Sequence, residues 1–133
     1  MDQKFKILLV EDDDRLRGVL RDRFFKQCHV IEAVDGEAAI EACLDHHPDL
    51  ILLDLLLPKL DGFKVLERIR TYPQSDISST RVVVLSNLWS QKDILQVQGL
   101  KVDEYFVKAH TTIEDIVSRI QAIIEGMKVS KNG

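Results

Sequence analysis

Two rhythms of apolar residues alternate along this chain. Phe5 to Val10 and Leu50 to Leu53 are nearly unbroken apolar runs, Arg81 to Leu85 is a β-branched one, and Glu104 to Val107 is a shorter one. Such runs read as strands covered on both faces. His29 to Val34 alternates less cleanly and reads as a further strand. Between these runs, apolar residues recur at helical spacing. The first stripe is Leu16, Val19, Leu20 and Phe24, the second Ala39, Ile40, Cys43 and Leu44, and the third Phe63, Leu66 and Ile69. A weak stripe lies near Gln91 to Gln98. Ile113, Ile116, Val117, Ile120, Ile123 and Ile124 keep the period closely.

Punctuation agrees with the pattern. Asp35-Gly36 opens the second helix and Pro48 stops it, while Pro58 and Asp61-Gly62 turn the chain into the third. That third helix is expected to dissolve in Thr71-Tyr72-Pro73 and a polar loop to Thr80. Ser90 to Asp93 resembles a capping box, and Thr112 to Asp115 caps the last helix. Five strands alternating with five helices predict an α/β fold, a flavodoxin-like (βα)5 doubly wound parallel sheet with right-handed crossovers. The expected strand order is 2-1-3-4-5, with its switch point between strands 1 and 3.

Length and composition narrow the picture. The 133 residues suit one domain, with a core over about 5–125 and a disordered tail from Met127 to Gly133. A formal charge of -4 argues against direct nucleic-acid binding. Cys28 and Cys43 have no metal-like spacing and read as free, buried thiols in a reducing compartment. No signal peptide or apolar run of membrane-spanning length is present in the sequence, so the expected location is cytoplasmic.

The chemistry gathers at strand ends. Strand 1 ends in Glu11 and Asp12, strand 3 in Asp54, strand 4 in Ser86, and strand 5 at Lys108. In a parallel sheet all four ends share one rim, where ligands of such sheets bind. Asp54 could be a nucleophile, a metal ligand or a helix cap, although Asp61 is better placed to cap. Clustered carboxylates repel unless a cation sits among them, and an all-oxygen set suits Mg²⁺. A carboxylate nucleophile, a divalent cation, a lysine and a hydroxyl together suit phosphoryl transfer to Asp54.

Ile7-Leu8-Leu9-Val10-Glu11-Asp12-Asp13, Asp54 to Gly62, Val83-Val84-Leu85-Ser86 and Tyr105-Phe106-Val107-Lys108 together resemble the CheY-like receiver domains of two-component response regulators. The resemblance covers residue 5 to about 125. It implies that Asp54 accepts a phosphoryl group from a histidine kinase phosphohistidine or a small phosphodonor. It implies that Asp12, Asp54 and the Leu56 backbone carbonyl hold Mg²⁺, with Glu11 acting through water. Lys108 and Ser86 would contact the phosphoryl oxygens. Ser86 and Tyr105 would switch the face formed by helix 4, strand 5 and helix 5. Implied partners are a histidine kinase or phosphotransfer protein and an unidentified output protein, with no membrane. The chain would be a monomer or a weak phosphorylation-dependent dimer, and not an enzyme beyond its own phosphorylation and dephosphorylation.

Simpler readings stand beside these. Asp13 and Asp14 read as the first turn of helix 1, Asp35 as a turn residue, and Tyr105 alternatively as core. His29, His46, His47 and His110 show no ligand spacing and read as surface or satisfied histidines, not phosphohistidines. Trp89 is either a contact residue or a loop anchor. The chain also departs from the family pattern. Ala109 follows Lys108, where the family places a proline in a cis peptide. A non-proline cis bond costs about 3 kcal/mol, so a trans bond or a strained loop is expected. Asn87 stands where a small residue is usual, and Lys101-Val102 where Gly-Ala is. Leu56 and Leu88 flank the path that the attacking water takes in the family, which implies a long-lived phosphoryl group.

The expected function is thus a stand-alone phosphoacceptor switch, the chain ending soon after Glu125. The alternative is a phosphorylation-independent pseudo-receiver that binds proteins. An Asp-nucleophile phosphatase is disfavoured by Leu56, where such enzymes carry a second Asp. A dinucleotide binder is disfavoured by Glu11-Asp12-Asp13-Asp14, which offers no glycine-rich cradle.

Overall fold

A computed structural model describes residues 4–88 and 90–132, with side chains through 128. Trp89 therefore lies outside the described residues. Five parallel strands run β1 (Phe5–Val10), β2 (Cys28–Ala33), β3 (Leu50–Leu53), β4 (Arg81–Ser86) and β5 (Glu104–Val107), in the order β2-β1-β3-β4-β5. The main helices are α1 (Asp14–Phe24), α2 (Gly36–His46), α3 (Gly62–Arg70), α4 (Gln91–Gln98) and α5 (Ile113–Asn132).

The period of two along each strand explains why both faces are apolar. Leu8, Val10, Ile51, Leu53, Val82 and Val84 share one buried cluster with Ala39 and Cys43 of α2, Val65, Leu66 and Ile69 of α3, and Val97 of α4. The alternate residues Ile7, Leu9, Leu50, Leu52, Val83 and Leu85 share the other with Leu20 and Phe24 of α1 and Ile116, Val117, Ile120 and Ile124 of α5. Cys28 and Cys43 are free and buried, and burial pushes the Cys43 thiol up to about 12. No helix among the described residues is long and apolar enough to cross a membrane.

The elements differ from expectation in three places. β2 begins at Cys28, which pairs with Phe5, and ends at Ala33, opposite Val10; Val34 lies beyond the ladder and is exposed. The polar stretch before β4 contains a helical turn, Ser75–Ser78, pinned by buried Ile77. The tail expected to be disordered from Met127 is helical to Asn132. Lys128 gives that extension a hold, its ammonium lying 5.8 Å from the centroid of the Phe5 ring.

The helix starts follow the caps. Asp13 caps α1, accepting from the amides of Arg15 and Leu16 at 3.0 and 3.2 Å, so it precedes the first turn rather than belonging to it. Asp35 and Asp61 cap α2 and α3, accepting from Ala38 at 2.8 Å and Lys64 at 3.0 Å. Two glycines let these helix starts approach the rim of the sheet. A Cβ on Gly62 would sit 2.4 Å from the Asp54 carbonyl oxygen, and one on Gly36 1.8 Å from that of Leu60.

These clashes are with backbone and cannot be relieved by a rotamer change. Gly62→Ala is expected to cost about 3 kcal/mol, the upper range for overpacking. Gly126→Ala, in open helical surface, is expected to gain about 0.5–1 kcal/mol. Urea unfolding midpoints of the two variants check the contrast.

Candidate functional site

The rim is built by ladder bonds that continue just past the strands. The Glu11 amide donates to Ala33 O at 3.1 Å and the Asp54 amide to Val10 O at 3.0 Å. Adjacent parallel strands therefore deliver these two acids side by side. Glu11, Asp12 and Asp54 each offer a carboxylate oxygen, all within 4.8 Å of one another. Glu11 and Asp54 are buried and Asp12 is exposed.

Lys108 reaches this group from the end of β5. Its ammonium lies 2.7 Å from Asp54 Oδ2 and 2.8 Å from Glu11 Oε2. Burial opposes the lysine's charge, but hydrogen bonds to Asp54 and Glu11 outweigh it and hold its pKa above the ordinary value. Glu11 bears the opposite stress. Its burial, with the Asp54 charge beside it, outweighs the Lys108 hydrogen bond and pushes its carboxyl up to about 7. Three carboxylates against one ammonium leave the cluster short of positive charge. All-oxygen donors with a net negative balance fit a hard divalent cation, which would bind Glu11, Asp12 and Asp54.

The remaining predicted residues are close by. Ser86 is fully buried at the end of β4, paired in register with Val107. Its hydroxyl accepts from the Leu88 amide at 3.3 Å. Tyr105 donates its hydroxyl to the Leu88 carbonyl. One residue's backbone thus stands between these two side chains. Leu56 donates its amide to Asp54 Oδ1 at 3.0 Å, and its side chain is exposed. The Lys108–Ala109 bond is trans, as expected without proline, and Lys108–His110 forms a 3-10 turn. His29, His46, His47 and His110 are all exposed.

A model of the response regulator receiver domain matches residues 7–121. The chain belongs to the response regulator receiver family. Over 133 residues it is 32% identical to the transcriptional regulatory protein RprY of Bacteroides fragilis, covering 99% of this chain and 54% of that one. It is 34% identical over 127 residues to the transcriptional regulatory protein ResD of Bacillus subtilis, covering 93% and 50%. The chain spans about half the length of the curated relatives it matches. Among solved structures, a CheY-like receiver domain protein from Methanospirillum hungatei superposes with a TM-score of 0.84 at 18% identity, covering 98% of this chain and 100% of that one. The Mn²⁺-bound form of response regulator Rcp1 gives 0.74 at 30% identity, covering 90% and 91%.

Two supporting residues of this receiver domain escaped the sequence reading. Arg17 donates to the Glu11 carbonyl at 2.8 Å while pairing with Asp14 and Glu32 at 2.6 and 3.0 Å, clamping the turn after β1. The Asp14/Arg17 spacing of three was the only hint available. Lys59 adopts a positive φ of 66° in the β3–α3 loop, and its ammonium lies 3.6 Å from Asp35. Arg17 lies outside the marker stretches, and Lys59 lies within Asp54 to Gly62 with nothing local to single it out.

The stress on Glu11 has a measurable sign. A carboxyl whose pKa is raised by folding contributes stability that is complete below about 4.5 and is lost as pH rises through about 7. In chelated buffer the wild type should therefore lose on the order of 1–3 kcal/mol relative to Glu11→Gln between pH 4.5 and 8. Paired urea denaturation across that range checks it.

Proposed function

We propose that this receiver domain is a Mg²⁺-dependent phosphoacceptor switch in which Asp54 takes the phosphoryl group. The donor is a histidine kinase or phosphotransfer-protein phosphohistidine, or a small phosphodonor. The observation that carries this reading is the buried Asp54 carboxylate, held by Lys108 and flanked by two further acids. A carboxylate oxygen of Asp54 attacks phosphorus as the P–N bond to the donor imidazole breaks, and the imidazole leaves with a proton. Lys108 is placed to meet the phosphoryl oxygens as negative charge moves onto Asp54. Asp12, Asp54, the Leu56 carbonyl and, through water, Glu11 would hold Mg²⁺, which would supply positive charge that lets an anionic donor approach. The response regulator Rcp1, 30% identical to this chain, has been solved in a Mn²⁺-bound form, which is consistent with a divalent ion.

Ser86 is the hydroxyl nearest this rim on β4. Drawn toward the phosphoryl group, it would withdraw its oxygen from the Leu88 amide, and Tyr105 holds the other side of that residue. The α4–β5–α5 face would respond and bind a partner protein. Over residues 1–133 a net charge of -4 gives nucleic acid little electrostatic footing.

Intact mass after incubation with acetyl phosphate and Mg²⁺ tests the reading. The expected result is one added phosphoryl group, absent without Mg²⁺ and absent in Asp54→Ala. No gain by folded wild type would favour a phosphorylation-independent binding module. The exposed Leu56 side chain offers no group to orient an attacking water. Leu56→Asn, which does, should shorten the phosphoryl half-life several-fold; an unchanged or longer half-life would refute the long-lived state.

A further inference from the structure

Asn87 and Ala109 meet in this structure: the Asn87 side-chain oxygen accepts from the Ala109 amide at 3.0 Å. The donor exists because residue 109 is not proline, which has no N–H. The bond's location gives it consequence. The β4–β5 ladder ends with Ser86 opposite Val107. The next residue on each strand leaves the sheet, Asn87 into the turn after β4 and Lys108 into its 3-10 turn. The Asn87–Ala109 bond ties these two turns together, one residue past Ser86 on one side and two past Val107 on the other. It lies directly after Ser86 on one side and directly after Lys108 on the other.

We propose that Asn87 is a positioning residue that holds the Lys108 turn, and so keeps the lysine ammonium against Asp54 and Glu11. The long lysine side chain has many rotamers, and its root is otherwise anchored in a three-residue turn. Thr111 steadies the same turn, its hydroxyl donating to the Val107 carbonyl at 2.8 Å. That bond stays within the segment after β5 and does not relate it to β4. Asn87 does. Both Asn87 and Ala109 are exposed, so the bond competes with water and its effect is a modest bias on Lys108.

The sign of that bias separates positioning from general structural support. Lys108 bridges Asp54 and Glu11, two of the carboxylates that would hold a divalent cation. A loosened Lys108 competes less with the cation, yet serves a phosphoryl group less well. Asn87→Ala should therefore bind Mg²⁺ about threefold more tightly by calorimetry, the change one exposed hydrogen bond supports. It should also react with acetyl phosphate about threefold more slowly. General disruption would weaken both.

The inference rests on Asp54 being the phosphoacceptor only in its second arm. Wild type that fails to gain mass would refute that reading of Asp54, and the Mg²⁺ affinities would then decide the role of Asn87 alone. In a Lys108→Ala background, Asn87→Ala should change neither quantity, because its effect passes through the lysine. Thermal midpoints confirm that each variant is folded. Unchanged or weaker Mg²⁺ binding by Asn87→Ala, or an effect that persists without Lys108, would overturn the proposal.

Discussion

The bridge from the Lys108 ammonium to the Asp54 and Glu11 carboxylates is the constraint around which the domain is arranged. It joins residues 54 and 97 positions apart in sequence. Neither acid would be comfortable alone. A buried charge that loses its partner is far more costly than the pair is beneficial. The domain tolerates two buried acids on β1 and β3 because β5 delivers a cation across the end of β4. Only a long side chain spans that distance, and Ser86 lies buried on the strand between. The remaining stress, visible in the raised proton affinity of Glu11, is what makes the cluster receptive to added positive charge.

The surrounding structure absorbs this stress by being rigid elsewhere. Two apolar layers, one on each sheet face, hold the strand ends in register. Gly62 and Gly36 allow backbone to press against backbone behind the acids, where no side chain would fit. Arg17 and Asn87 secure the turns after β1 and β4. The rim is thus an electrostatically strained patch on a mechanically stiff support. The Leu88 backbone is bonded to Ser86 at the end of β4 on one side and to Tyr105 of β5 on the other.

Much of this was legible in the chain. The apolar runs of β1, β3 and β4 and the helical stripe of α5 are local patterns, and the alternation of strand and helix dictates a parallel sheet. Acids at two strand ends and a lysine at a third then have to share one rim. Asp35 and Asp61 were recognisable at helix starts because capping is a short-range interaction. β2 shifted by one residue because its bounds depend on β1, the strand it pairs with, and not on its own alternation. The turn at Ser75–Ser78 was hidden because a single apolar residue, Ile77, has no period to reveal it.

The sequence by itself determined the strands, the two covered faces and the residues at the strand ends, since these follow from periodicity and from the alternation of strand and helix. Only the tertiary structure decided the contacts that join distant segments. These are the double bridge of Lys108, the meeting of Ser86 and Tyr105 at Leu88, the grip of Lys128 on Phe5 that extends α5, and the Asn87–Ala109 bond. The physical reason is common to all of them. Local pattern specifies which face a residue takes, whereas a hydrogen bond or ion pair between two loops depends on distances that the packing of the whole domain sets.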